Sequence, residues 1–207
     1  MRELSLHILD VVENGINAGA SMVEISVSED RKSNLLSIEI KDNGRGIPED
    51  LLERVTDPFY TTRKTRRVGL GLSLFREASR RCGGDFRIES TEGDGTKVFT
   101  SFRLDHIDLA PLGDLASSLT GLIAGNPMVD FIYTHRVDDS VFKLDTRELK
   151  KVLDGMAFNS PEVVGFLRRF IREGFSDIDK IPESRPYDDQ KIIRAAGLPE
   201  DGESGGM

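Results

Sequence analysis

The sequence predicts an α/β fold, on three observations. An amphipathic helical period opens the chain, with Leu4, Ile8, Val11, Val12 and Ile16 at helical spacing. Two pairs of alternating apolar segments follow, each bracketing a polar or glycine-bearing turn, with a second helical segment between the pairs. The 207 residues are 38% hydrophobic and 31% charged, the balance of a globular chain with room for a sizeable core.

Taken in order, the first helix is expected over residues 3–18, ended by Gly15, Gly19 and the AGAS stretch. Val23, Ile25 and Val27 alternate, the polar SEDRKSN turns the chain, and Leu36, Ile38 and Ile40 alternate again, which is a hairpin. Asp42 to Gly46 is a glycine-bearing loop, Pro48 stands near the first turn of a short helix (PEDLLERV), and a loop runs from Asp57 to Val68. Leu70, Leu74 and Ala78 repeat every fourth position until Gly83-Gly84 stops the helix. Phe86 and Ile88, then Val98, Phe102 and Leu104, flank TEGDGT, whose Gly93 and Gly95 suit a tight turn.

A second region begins near Asp105. Pro111 is expected to open a helix that GNP at 125–127 closes. Strands at Phe131–Tyr133 and Val141–Leu144 bracket the Asp138-Asp139 turn, and helices follow at 146–154 and 161–173. Ser160 is placed as N-cap and Pro161 as the first helical residue, with Phe166, Leu167, Phe170 and Ile171 as the apolar stripe. Phe131, Tyr133, Phe142, Phe166 and Phe170 are expected in the core. The chain thus divides into 1–104, a small α/β extension at 105–175, and a poorly structured tail at 176–207.

Composition narrows the function. Twenty-eight basic against thirty-six acidic side chains leave a net charge of −8, which disfavours nucleic acid as a partner. No stretch approaches the roughly 20 apolar residues of a membrane helix, and the acidic N-terminus is unlike a signal peptide, so a cytoplasmic location is expected. A lone Cys82 excludes an internal disulfide, and His7, His106 and His135 lie too scattered for a zinc site.

Several polar positions suggest chemistry. Asp10, Asn14 and Asn17 stand at i, i+4 and i+7 along one stripe of the first helix. Taken alone, that stripe fits a solvated helix face as well as a hydrated Mg²⁺ site, for which a carboxylate beside a carboxamide is suited. Asp42-Asn43-Gly44-Arg45-Gly46 follows a strand; its glycines admit a flat ligand, and its carboxylate can accept from an exocyclic amine, although DNG is also common turn chemistry. Gly69-Leu70-Gly71-Leu72-Ser73 stands before a helix, where bare amides favour phosphate. Arg63, Lys64, Arg66 and Arg67 form a basic run beside it, which fits either a solvated loop or a phosphate contact.

Five motifs in this order, VVENGINAGA, DNGRGIP, DPFYTT, GLGLSL and GDGT, resemble the GHKL ATP-binding superfamily, which includes gyrase, heat-shock chaperone, histidine kinase and mismatch-repair ATPases. The resemblance spans residues 3–104 and is strongest to histidine kinases in DPFYTT and GLGLS. It implies a two-layer α/β sandwich, helices on one face of a mixed, mainly antiparallel sheet, with ATP and Mg²⁺ as cofactors. By position, Asn14 is the implied metal ligand and Asp10 the implied catalytic base. The implied nucleotide contacts are Asn14, Asn17, Asp42, Gly44, Gly46, Ile47, Thr61, Thr62, Lys64, Gly69, Leu70, Gly71, Leu72 and Thr96, with Thr61 to Val68 as a lid.

Two departures bear on activity. Hydrolysing members carry a glutamate where this chain has Asp10, one methylene shorter. The first motif begins at residue 3, so the phosphoacceptor helix pair that precedes it in histidine kinases is not expected here, and His7 is read as structural. Mismatch-repair members share the AGAS-like segment but carry a larger second domain and a longer lid. The expected function is Mg²⁺-dependent ATP binding in a regulatory protein that hydrolyses ATP or passes its γ-phosphate to an unidentified protein partner. The alternative is a sensor without turnover that binds a partner complex through its C-terminal half. Residues 105–175 are the expected surface for that partner or for a second copy of the chain.

Overall fold

The computed structural model describes residues 3–52, 55, 70–153 and 155–179. Six strands form one sheet in the order β3-β4-β2-β1-β5-β6, from β1 (Met22–Asp30), β2 (Leu35–Asp42), β3 (Phe86–Thr91), β4 (Gly95–Arg103), β5 (Asp130–Val137) and β6 (Ser140–Asp145). The sheet is mixed. β1–β2, β2–β4, β3–β4 and β5–β6 are antiparallel, and β1–β5 is parallel. This is the mainly antiparallel α/β arrangement expected.

The alternation read from the sequence sorts side chains between the two faces. Val23, Ile25, Val27, Leu36, Ile38, Ile40, Val98 and Phe102 turn inward onto the helices. The outward residues include Glu24, Lys41, Glu39 and Lys97, which pair across strands as exposed ion pairs worth little to stability. Against the inner face lie α1 (Leu4–Asn17), α3 (Leu70–Arg81), α4 (Leu115–Gly125) and α6 (Pro161–Ile178); α2 (Glu49–Leu52) and α5 (Thr146–Val152) are short.

Beyond Asp105 the chain continues the same sheet. β5 pairs with β1, and the aromatic residues assigned to the core are buried in one cluster with those of the first half. Phe142 packs on Tyr133, Phe170 and Phe175, with ring centroids 6.4, 5.7 and 5.6 Å away.

Three boundaries differ from expectation. Gly15 lies inside α1, and the helix ends with Ala18 as its C-cap followed by Gly19 at φ +84°. Pro111 does not open α4. The carbonyls of Pro111 and Leu112 instead accept the Leu4 and Ser5 amides, satisfying the bare first turn of α1, and α4 starts after Asp114, whose carboxylate accepts from Ser117 N at 3.0 Å. α6 runs to Ile178, five residues past the expected end, because Gly174, Phe175 and Ile178 continue its packed face. Its cap was legible: Ser160 Oγ accepts from Val163 N at 3.3 Å. The tail from 180 onward lies outside the described residues.

Candidate functional site

One end of the sheet gathers the C-terminal half of α1, the end of β2, the β3–β4 turn and the start of α3. Asp42 closes β2 and is 7% exposed. Its Oδ1 accepts the Gly44 amide at 2.9 Å, and its strand partner on β4 is Thr96. Burial pushes the Asp42 carboxyl above its usual range, while the Gly44 and Thr96 amides pull the other way. A buried carboxylate kept at the cost of desolvation is a reasoned candidate for ligand recognition.

The helix above it makes room. A Cβ on Gly15 would lie 2.8 Å from Asp42 Cβ, so only glycine lets α1 descend onto that carboxylate. The loop after β2 is then held from three sides. Asn43 Oδ1 accepts from Ser21 N and Met22 N, each at 2.9 Å, and its amide donates to Ser21 Oγ. Arg45 N donates to Ala18 O at 3.0 Å, and Gly93 N donates to Arg45 O at 2.7 Å. Gly46 sits at φ +69°, where a side chain would also meet the Thr91 carbonyl.

Ser90, to which the sequence reading assigned no role, organises the opposite wall. Its hydroxyl donates to Gly95 O at 2.6 Å, which leaves its lone pairs to accept from Ile47 N at 2.8 Å and from Thr96 Oγ1 at 2.9 Å. One side chain therefore fixes both Ile47 and Thr96. A serine on a half-exposed strand gives no periodic signal that marks it for this role.

Asp10 stands half-buried on α1, where the missing Cβ of Gly71 would be 3.1 Å from Asp10 Cβ. The carboxylate thus lies against the first turn of α3, the end of a helix that favours negative charge. Asn14 is exposed one turn along, on the same side as Asp10. Asn17 is also exposed and lines a cavity of about 490 Å³ between α1 and α4, with Leu9, Glu13, Ile16, Ser117, Ser118, Gly121, Leu122 and Asn126. Leu72 packs against the core from α3. Thr61, Thr62, Lys64, Gly69 and the lid from Thr61 to Val68 lie outside the described residues, as does the side chain of Leu70.

Among the described residues no group of three or more His, Cys, Asp or Glu side chains could hold a metal ion. The carboxamide oxygen of Asn14 fits Mg²⁺ in its usual mode, which uses few protein ligands and completes its shell with water and substrate phosphates.

The motif order and this geometry agree with a match of residues 2–106 to the family described as histidine kinase-, DNA gyrase B-, and HSP90-like ATPase. The chain belongs to this family. Within the family, it is 34% identical over 109 residues to a putative sensor protein of Shewanella frigidimarina, spanning 52% of this chain and 17% of that protein. It is likewise 34% identical to the sensor protein kinase WalK of Staphylococcus haemolyticus, over 48% of this chain and 17% of the kinase. The fold is also similar to that of the Aquifex aeolicus MutL ATPase domain complexed with ADP, with a TM-score of 0.50 and 15% identity over 82% of this chain and 70% of that one. These curated relatives match about half of this chain, and the chain spans about a sixth of their length. No described helix is long and apolar enough to cross a membrane.

Proposed function

We propose that the chain is a Mg²⁺-dependent ATP-binding regulatory protein of the histidine-kinase-like type, working in the cytoplasm on an unidentified protein partner. The observation that carries this reading is the buried Asp42 carboxylate under Gly15, beside Thr96, at the same sheet end as Asp10 and the first turn of α3. Asp42 accepts from the adenine amino group and repels the carbonyl that guanine presents there. Gly44, Gly46 and Ile47 shape the pocket wall, and Thr96, held by Ser90, supports the base.

The phosphates lie at the amides of the first turn of α3, Leu70 through Leu72, and the sequence motifs add Gly69, Thr61, Thr62 and Lys64, which lie outside the described residues, as further contacts. Asn14 holds Mg²⁺, which when bound neutralises charge on the phosphate oxygens. Asp10 orients an attacking water or partner hydroxyl and takes its proton. An aspartate in place of the longer glutamate favours the second reading, a nucleotide sensor whose shorter acid has detuned water attack.

Following γ-labelled phosphate tests both. Hydrolysis places the label in free phosphate, transfer places it on the partner, and a sensor leaves it in ATP. Asp10→Asn should leave affinity nearly unchanged and lower turnover by about 10²- to 10⁴-fold. If the wild type is inert and Asp10→Glu creates hydrolysis, the sensor reading stands. Full-rate hydrolysis in Asp10→Asn contradicts the role of Asp10.

A further inference from the structure

The His7 imidazole is buried where α1 meets α3, outside the set of residues given a role above. It is 3% exposed, and its Nδ1 has no hydrogen-bond partner among the described residues. Its ring stacks on Phe75 with centroids 4.9 Å apart and planes 5° from parallel. Phe75, fully buried, rests in turn on Phe86 of β3 and Phe102 of β4 at 6.4 and 6.0 Å, so the stack ties α1 through α3 to the sheet.

One turn away on each helix, Asp10 meets Gly71. The two contacts are successive rungs between antiparallel helices. Whatever sets the spacing at His7–Phe75 therefore sets how close Asp10 stands to the first turn of α3.

We propose that His7 is a positioning residue that makes the nucleotide site acid-sensitive: a proton on its ring parts α1 from α3 and withdraws the first turn of α3 from Asp10. This rests on the nucleotide reading of that site. The physical cause is local. An imidazolium carries two N–H donors, and here Nδ1 faces no acceptor, so the added proton leaves a buried charge unpaired. Separation of the helices admits water and relieves it.

None of the charged groups on the described elements packed around His7 bonds Nδ1. On α1 they are Asp10 and Glu13 and, just before the helix, Glu3, whose Oε2 accepts from Ser5 Oγ at 3.3 Å. α3 carries Arg76 next to Phe75 and, further along, Glu77, Arg80 and Arg81; the buried residues of β4 here, Val98, Thr100 and Phe102, carry no charge. Burial holds the His7 imidazole down at about 4 against its ordinary 6.5. The depressed value fixes the sign. The packed arrangement is fully favoured above pH 6.5 and loses ground as pH falls toward 4.

The test is titration with Mg-ATP at pH 7.5 and pH 5.0 for the wild type and for His7→Phe, which keeps an aromatic stack and removes the proton site. The readout is the ratio of affinities between the two pH values, so the nucleotide's own protonation cancels between proteins. The wild type should lose roughly 3- to 30-fold more affinity than His7→Phe on acidification. Equal ratios overturn the proposal. His7→Leu replaces His7→Phe if the latter does not fold.

If the wild type binds no ATP at pH 7.5, the nucleotide reading fails by itself, and amide exchange along α3 in the nucleotide-free protein decides the device. After correction for intrinsic rates, faster exchange at pH 5.0 in the wild type but not in the variant supports helix separation. Equal exchange overturns it.

Discussion

The two halves of the sheet use their carboxylates in different ways. In the β5–β6 half, carboxylates are taken up in ion pairs and caps. Asp145 binds Arg147 through both oxygens at 3.0 and 2.7 Å, and Asp114 caps α4. Tyr133, His135 and Glu29 form a chain of 3.2 and 2.8 Å contacts beneath Phe175. In the β1–β4 half, glycines bring backbone onto carboxylates: Gly15 onto Asp42 and Gly71 onto Asp10. The Asp42 carboxylate, held at a desolvation cost, is the one we propose for the ligand, whereas Asp114, which caps a helix, and Asp145, which binds a neighbouring guanidinium, serve the fold. The contrast predicts that the halves separate stability from binding.

The largest effect is expected in the aromatic cluster. Phe142→Ala removes a ring that touches Tyr133, Phe170 and Phe175, and should cost about 3–5 kcal/mol of stability. Denaturant unfolding measures it, while nucleotide affinity measured below the transition should stay within about twofold. A large loss of affinity in the folded variant would mean that the extension shapes the site.

The reverse substitution is Asp42→Asn. Nucleotide affinity should fall by about 10- to 100-fold, roughly 1.4 to 2.8 kcal/mol, and preference for ATP over GTP should shrink. Stability should stay within about 1 kcal/mol, relief of the buried charge offsetting the weaker acceptor that the amide offers the Thr96 N–H. The Asp42 carboxyl titrates above its ordinary 3.8 in the folded protein, so folding favours its protonated form, and its ionised form costs stability as pH climbs past that range. The amide removes this cost and keeps an oxygen for the Gly44 N–H. Thermal melts at pH 7 check it, and a marked drop in midpoint would make Asp42 structural instead.

How far the sequence carries depends on the range of the interaction. Strand alternation, the Ser160 cap and the Gly93 and Gly95 turn are local signals, and each appears where it was read. The start of α4 was misread because Pro111 and Leu112 answer a distant need, the bare amides of Leu4 and Ser5. The same holds at the site. Asp42 and Gly44 stand out through their glycine-bearing motif, but Ser90 acts through neighbours at positions 47, 95 and 96, and nothing local marks it. Nor does periodicity reveal that β5 lies parallel to β1, since alternation is the same in either direction.

The central claim is that the β1–β4 end of the sheet binds Mg-ATP, with Asn14 as metal ligand. Calorimetric titration of the wild type and of Asn14→Ala with Mg-ATP tests it most directly, with circular dichroism to verify the fold. Asn14 is exposed and contributes nothing to the buried stripe of α1, so the variant should fold like the wild type. The account predicts saturable binding by the wild type and none measurable in the folded variant. Undiminished affinity in folded Asn14→Ala, or a wild type that takes up no Mg-ATP, would contradict it.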